Sequence, residues 1–248
     1  MVKGLDTFQK YFADYEEQYV LIGGAACDIL FESNEVNFRA TRDLDMVLIV
    51  EALTPEFGEK FWKFIVDGKY RNKAKNGSNP QFYRFDKPED DNFPKMMELF
   101  CRSDFKLKNA KGISPIHIDD EVSSLSAILL NDDYYKALLN GKEVRNGLSV
   151  LRPEYIILFK AKAYLDLKKQ KDLGEKVDSS DIKKHKKDVL RIASELMLEK
   201  VEELPIAVDA DIHSFIDLLE QEPFDQNSLK RYGLKNEDVV ELLKQVFG

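Results

Sequence analysis

Asp43 and Asp45 stand two residues apart at the start of an apolar run that reaches Val50 (LDMVLIV from Leu44). In an extended chain a spacing of two sends both side chains to the same face. Carboxylates held side by side repel each other unless a cation lies between them. Hard oxygen ligands so arranged suit Mg²⁺, which takes one or two carboxylates together with substrate phosphates. The bland alternative is a turn aspartate followed by an exposed strand aspartate, but an unpaired aspartate buried in such a run would be costly. Glu98 interrupts a second apolar run, Met96-Met97-Glu98-Leu99-Phe100. It either completes a three-carboxylate cluster, if its strand lies beside the first, or faces water from an edge strand. Gly23-Gly24 follow Tyr19–Ile22 (YVLI). Glycines at a strand-to-helix turn admit a phosphate close to the backbone and leave N–H groups free at the helix start, although a tight turn alone would also explain them.

These residues need elements to position them. Leu5–Gln18 carries Phe8, Tyr11, Phe12 and Tyr15 at helical spacing. Tyr19–Ile22 reads as a strand and Ala25–Phe31 as a short helix opening at the glycines. Leu44–Val50 reads as a central strand and Pro55–Asp67 as a helix whose aromatic face, Phe57, Phe61, Trp62 and Phe64, belongs in a core. Gln81–Phe85 and Lys95–Cys101 read as strands, and Pro115–Ile118 as a further short one. After Arg152 the chain is almost wholly helical. Pro153 stands in the first turn of one helix. The next, capped by Ser179, Ser180 or Asp181, runs to about Lys200. Pro205 and Pro223 punctuate two more helical stretches. Asp132 is expected to cap a helix running to Leu139. A strand-rich half followed by a helix-rich half gives an α+β class, a mixed β-sheet with flanking helices and then a helical C-terminal domain, divided as 1–120 and 121–248.

The 248 residues carry a formal net charge of −8. That charge is uneven: residues 152–191 are net +5, between flanks of −5 and −8. Net acidity excludes a broad grip on a phosphate backbone, but not a local nucleotide site. The basic stretch holds Lys183, Lys184, Lys186, Lys187 and Arg191, a group that could meet RNA or nucleotide phosphate or simply form a solvated helix face. No apolar run is long enough to span a bilayer, the N-terminus lacks an apolar signal core, and two cysteines, Cys27 and Cys101, make a disulfide framework improbable; the expected location is the cytoplasm. His117, His185 and His213 form no zinc pattern with them, and there is no nucleophile elbow or Walker loop.

The order strand, Gly23-Gly24, helix, Asp43-x-Asp45 on a strand and Glu98 on a later strand resembles the DNA polymerase β superfamily of nucleotidyltransferases, and more closely its AbiEii/AbiGii toxin-like members. The helical half extends the resemblance. Arg152-Pro153-Glu154 leads into Lys160-Ala161-Lys162-Ala163, and Lys187-Asp188 follows on the next helix. The resemblance implies that Asp43, Asp45 and Glu98 are catalytic and bind two Mg²⁺ ions, and that Gly23, Gly24, Arg42, Lys160, Lys187 and Asp188 meet the nucleotide. It implies transfer of a nucleoside monophosphate from a nucleoside triphosphate to an RNA end, a protein or a small molecule, and a role in phage defence or beside an antitoxin-like partner. Two departures bear on this. Ala25 stands where many members have serine or threonine, and Asp43 follows Gly24 at a distance of 19 positions. They leave a second expectation open: a non-catalytic module of the same fold that binds nucleotide or another protein.

Overall fold

The computed structural model describes residues 2–32, 43–70, 82–101, 116–117, 128–129 and 131–248. It divides into two compact units, residues 1–122 with 142–151, and residues 123–141 with 152–248.

The first unit is built on a seven-stranded mixed sheet of order β5-β3-β4-β2-β1-β7-β6. The strands are β1 Tyr19–Ile22, β2 Asp43–Leu48, β3 Phe82–Asp86, β4 Met96–Cys101, β5 Ile116–His117, β6 Lys142–Arg145 and β7 Leu148–Leu151. β2 runs antiparallel to β1 and parallel to β4; β4 is antiparallel to β3. Among the described residues three helices accompany the sheet: α1 Leu5–Phe12, α2 Gly23–Glu32 and α3 Pro55–Asp67. α3 starts where Thr54 accepts a hydrogen bond from Phe57 N at 3.3 Å and Pro55 fills the first helical position.

The sheet's two faces differ. Leu44, Met46 and Leu48 share one face with Met97, Phe85 and Tyr19 through the β1–β2–β4–β3 register. An aromatic cluster fills the space above it. Phe12 lies 5.4 Å from Phe64, Phe8 5.4 Å from Tyr19, and Phe61 5.5 Å from Phe85, mostly edge-on or tilted. All six rings are fully buried. At roughly 2–3 kcal/mol for each buried large side chain, this cluster contributes substantially to holding α1 and α3 on the sheet. It commits the even-numbered residues of β2 to the core and so turns Asp43 and Asp45 the other way.

The α+β class expected from the sequence is what the structure shows. Its sharpest departure is residues 142–151. The division at 120/121 left them with the helices, yet they form the β6–β7 hairpin, and β7 pairs in parallel with β1 at Leu21↔Val150. Asn146 (φ 52°) and Gly147 (φ 70°) make its turn, both in the left-handed region that a tight two-residue hairpin requires.

The second unit contains α4 Asp132–Asn140, α5 Pro153–Asp172, α6 Ser179–Glu195, α7 Ile206–Gln221, α8 Gln226–Tyr232 and α9 Asn236–Phe247. α5 packs on α6 and α7, and α9 on α7 and α6. Helix starts differ slightly from expectation. Asn131, rather than Asp132, caps α4 by accepting from Asp133 N and Tyr134 N, and Asp178 caps α6 by accepting from Ser180 N. α6 ends at Glu195, short of Lys200, and three helices rather than two follow Pro205.

Candidate functional site

The cross-strand register builds one polar row. Arg84, Glu98, Asp45 and Ile22 are partners in turn across β3, β4, β2 and β1. Residues in register share a face, so Glu98 is a direct neighbour of Asp45. The adjacent row places Asp86, Met96 and Asp43 in register. Asp43, Asp45, Asp86 and Glu98 are all half-buried, whereas Leu44, Met46, Phe85, Met97 and Leu99 between them are buried. One end of this face thus carries, among the described residues, a patch of four carboxylates and one guanidinium, beside the buried apolar Val20, Val47 and Phe100.

β1 ends at Ile22 beside Asp45, and α2 begins at the next residue. Gly23 adopts φ +62°, and a Cβ there would stand 2.4 Å from Asp45 Oδ2. The Asp45 carboxylate therefore rests against the Cα of the first residue of α2. Gly23 and Gly24 are both half-exposed. The first turn of a helix leaves N–H groups unpaired and carries partial positive charge, an arrangement that receives anions. Asp28, one turn further into α2, is 4% exposed and was not singled out in the sequence.

Glu98 is already held. Arg84 Nε and Nη2 donate to Glu98 Oε1 at 2.9 and 2.6 Å, with Arg84 39% and Glu98 22% exposed. Arg84 was absent from the expected site; its role depends on the β3–β4 register, which a sequence does not display. Among the described residues, no three acidic, cysteine or histidine side chains are gathered as a metal cage. The three expected ligands share a face, but Glu98 is directed to Arg84. Asp43 and Asp45, two oxygen donors on one strand face, fit a cation that takes its other ligands from phosphate and water. Neither is an isolated charge.

Arg42 lies outside the described residues. In the second unit Lys160 Nζ meets Asp188 Oδ2 at 2.9 Å, with side chains 12% and 8% exposed. These two residues, expected separately at the nucleotide, form one buried ion pair joining α5 to α6. Lys187 is exposed and pairs with neither. Lys160 sits on α5 amid buried Ile156, Ile157, Phe159 and Ala163.

No protein-family model matches the chain, and no curated protein matches it. Among solved structures it is similar to an antigenic nucleotidyltransferase-like protein from Paracoccidioides brasiliensis, with 15% identity, a TM-score of 0.47, and coverage of 97% of this chain and 93% of that one. No helix among the described residues is long and apolar enough to cross a membrane.

Proposed function

We propose that the chain is a Mg²⁺-dependent nucleotidyltransferase that moves a nucleoside monophosphate from a nucleoside triphosphate to an acceptor. The observation that carries this reading is the contact of Asp45 with the Gly23 end of α2, beside Asp43 on the same strand and Glu98 on the next. It brings anion-receiving backbone and cation-receiving carboxylates together, as phosphoryl transfer requires.

In this reading the α2 N-terminus takes the triphosphate oxygens, and Asp43 and Asp45 hold the Mg²⁺. Bound metal would neutralise the phosphate charge and lower the pKa of the attacking hydroxyl. Glu98 serves as a third ligand when its carboxylate is shared with, or released by, Arg84. The acceptor is an RNA end, a protein side chain or a small molecule, and the AbiEii-like resemblance favours a toxin or phage-defence setting with an antitoxin-like partner.

The test is label transfer from [α-³²P]NTPs, with Mg²⁺, to total RNA and cell extract. Transfer by the natural chain and its loss in Asp43→Ala plus Asp45→Ala is the expected result; equal transfer by both proteins would sink the reading. The Arg84–Glu98 pair specifically favours a second reading, a nucleotide-binding module without turnover, because it occupies one of the three carboxylates. Calorimetric NTP binding with no pyrophosphate released over hours would select it.

A further inference from the structure

We propose that the helical unit holds a second, separate binding site, for a small molecule bearing a di- or triphosphate group. The site is a cavity of about 620 Å³ between α5, α6 and the segment that leads into α8. That is within the size range of small-molecule sites. The proposal is independent of the acidic face of the sheet.

The wall of this cavity is apolar and aromatic. Tyr164, Leu190 and Phe224 are buried and Ile182 is nearly so. Around it stand five lysines against three carboxylates. The lysines are not equivalent. Lys168 is neutralised by Glu222 at 2.6 Å, and Lys171 donates to Ser179 Oγ at 2.6 Å. Lys186 is half-buried. Its ammonium lies 5.7 Å from the Tyr164 ring centre and 5.4 Å from that of Phe224, and donates to the backbone oxygens of Glu222 and Pro223. Burial holds its pKa below the ordinary lysine value.

Lys183 and Lys187 differ from these three. Both line the cavity, and among the described residues neither has a hydrogen-bond or ion-pair partner. They are four positions apart on α6, so their ammonium groups project from one side of the helix, an arrangement that is mildly repulsive unless an anion lies between them. The nearby Asp225 carboxylate feels the Lys187 charge but gives its acceptor sites to Ser228, accepting from Ser228 N and Oγ at 2.9 Å each as the cap of α8. A compact lysine point charge suits phosphate oxygens. Two rim ammonium groups that make no hydrogen bond or ion pair, a half-buried third and an aromatic wall match a polyphosphate with an organic body. Lys160 and Asp188 are not among the residues that line the cavity, although Tyr164 follows Lys160 by one turn of α5 and Lys187 directly precedes Asp188 on α6.

The experiment is isothermal titration of the full chain, with EDTA present, using inorganic tripolyphosphate, ATP and an eight-nucleotide RNA as probes. Tripolyphosphate and ATP are expected to bind. The exposed double reversal Lys183→Glu plus Lys187→Glu should weaken both at least tenfold, and Lys183→Arg plus Lys187→Arg should stay within threefold of the natural chain. Tighter binding of ATP than of tripolyphosphate would assign the aromatic wall to an organic ring, and equal binding would assign the site to the phosphate chain. Asp43→Asn plus Asp45→Asn should leave tripolyphosphate binding unchanged, which separates this site from the proposed catalytic one. The proposal is overturned by absence of tripolyphosphate binding, by insensitivity to charge reversal, or by reversal-sensitive binding confined to the RNA.

Discussion

The Asp45 carboxylate occupies the space that a side chain on residue 23 would need, with Oδ2 2.4 Å from the Cβ that Gly23 lacks. The positive φ of Gly23 adds a second demand for glycine at the same residue. Position 23 thus couples the path of the backbone into α2 to the placement of one acidic side chain.

Gly23→Ala is therefore expected to do two separable things. Forcing an L-residue into the left-handed region should cost about 1–2 kcal/mol in urea unfolding. Displacing Asp45 should in addition abolish Mg²⁺-dependent NTP binding in a protein that is still folded. Unaltered metal and nucleotide affinity in Gly23→Ala would show that Asp45 has no binding role.

Arg84→Gln removes the guanidinium from beside Glu98 and leaves four carboxylates on that face without it. Titration with Mn²⁺, followed by electron paramagnetic resonance, should give affinity roughly threefold to tenfold tighter than in the natural chain, because a like charge near the cation has been deleted. The pair is partly exposed, so unfolding should change by less than about 1 kcal/mol. Weaker Mn²⁺ binding would instead make Arg84 an organiser of the site.

Lys160 and Asp188 predict a non-additive stability pattern. Removing one partner, as in Lys160→Met, takes a counter-charge from buried Asp188 and should cost about 3 kcal/mol, whereas Lys160→Met with Asp188→Leu should recover much of that loss. Additive losses in chemical denaturation would mean that the pair is not coupled.

Glu222 gives a pH signature. A hydrogen bond from Lys168 is the largest cause holding its pKa below the ordinary carboxylate value, with burial opposing it and Tyr164 and Lys186 assisting. A depressed folded-state pKa stabilises the fold above the unfolded pKa, and that contribution disappears as pH falls through the folded value. The melting temperature of the natural chain should exceed that of Glu222→Gln at neutral pH, and the gap should close on acidification below about pH 4. A gap that widens in acid would reverse the assignment.

Much of the site's scaffold is legible in the sequence. Strand, glycine pair and helix follow from an apolar run ended by residues that tolerate a sharp turn, and β1 and α2 form there. The Asp43-x-Asp45 spacing placed both carboxylates on one face because strand periodicity is local. Arg84 was not legible, since its partnership with Glu98 arises from pairing residues 14 apart in two different strands. Lys160 and Asp188 were each visible but not as a pair, because their meeting depends on how α5 packs against α6. The β6–β7 hairpin is different. Asn146-Gly147 between short strands is a strong local turn signal, and a run of helix signals on either side obscured it.

That hairpin has a consequence for synthesis on the ribosome. β1 is made early, yet its pairing partner β7 ends at Leu151, after α4 of the other unit has already been made. The N-terminal unit therefore cannot complete its sheet as the first hundred or so residues emerge. A nascent chain halted near residue 120 exposes one edge of β1 and the apolar residues that the hairpin would cover. A cut after residue 122 separates the hairpin from its sheet, and a cut after residue 151 separates α4 from the helices that follow, so no single cut releases both units whole.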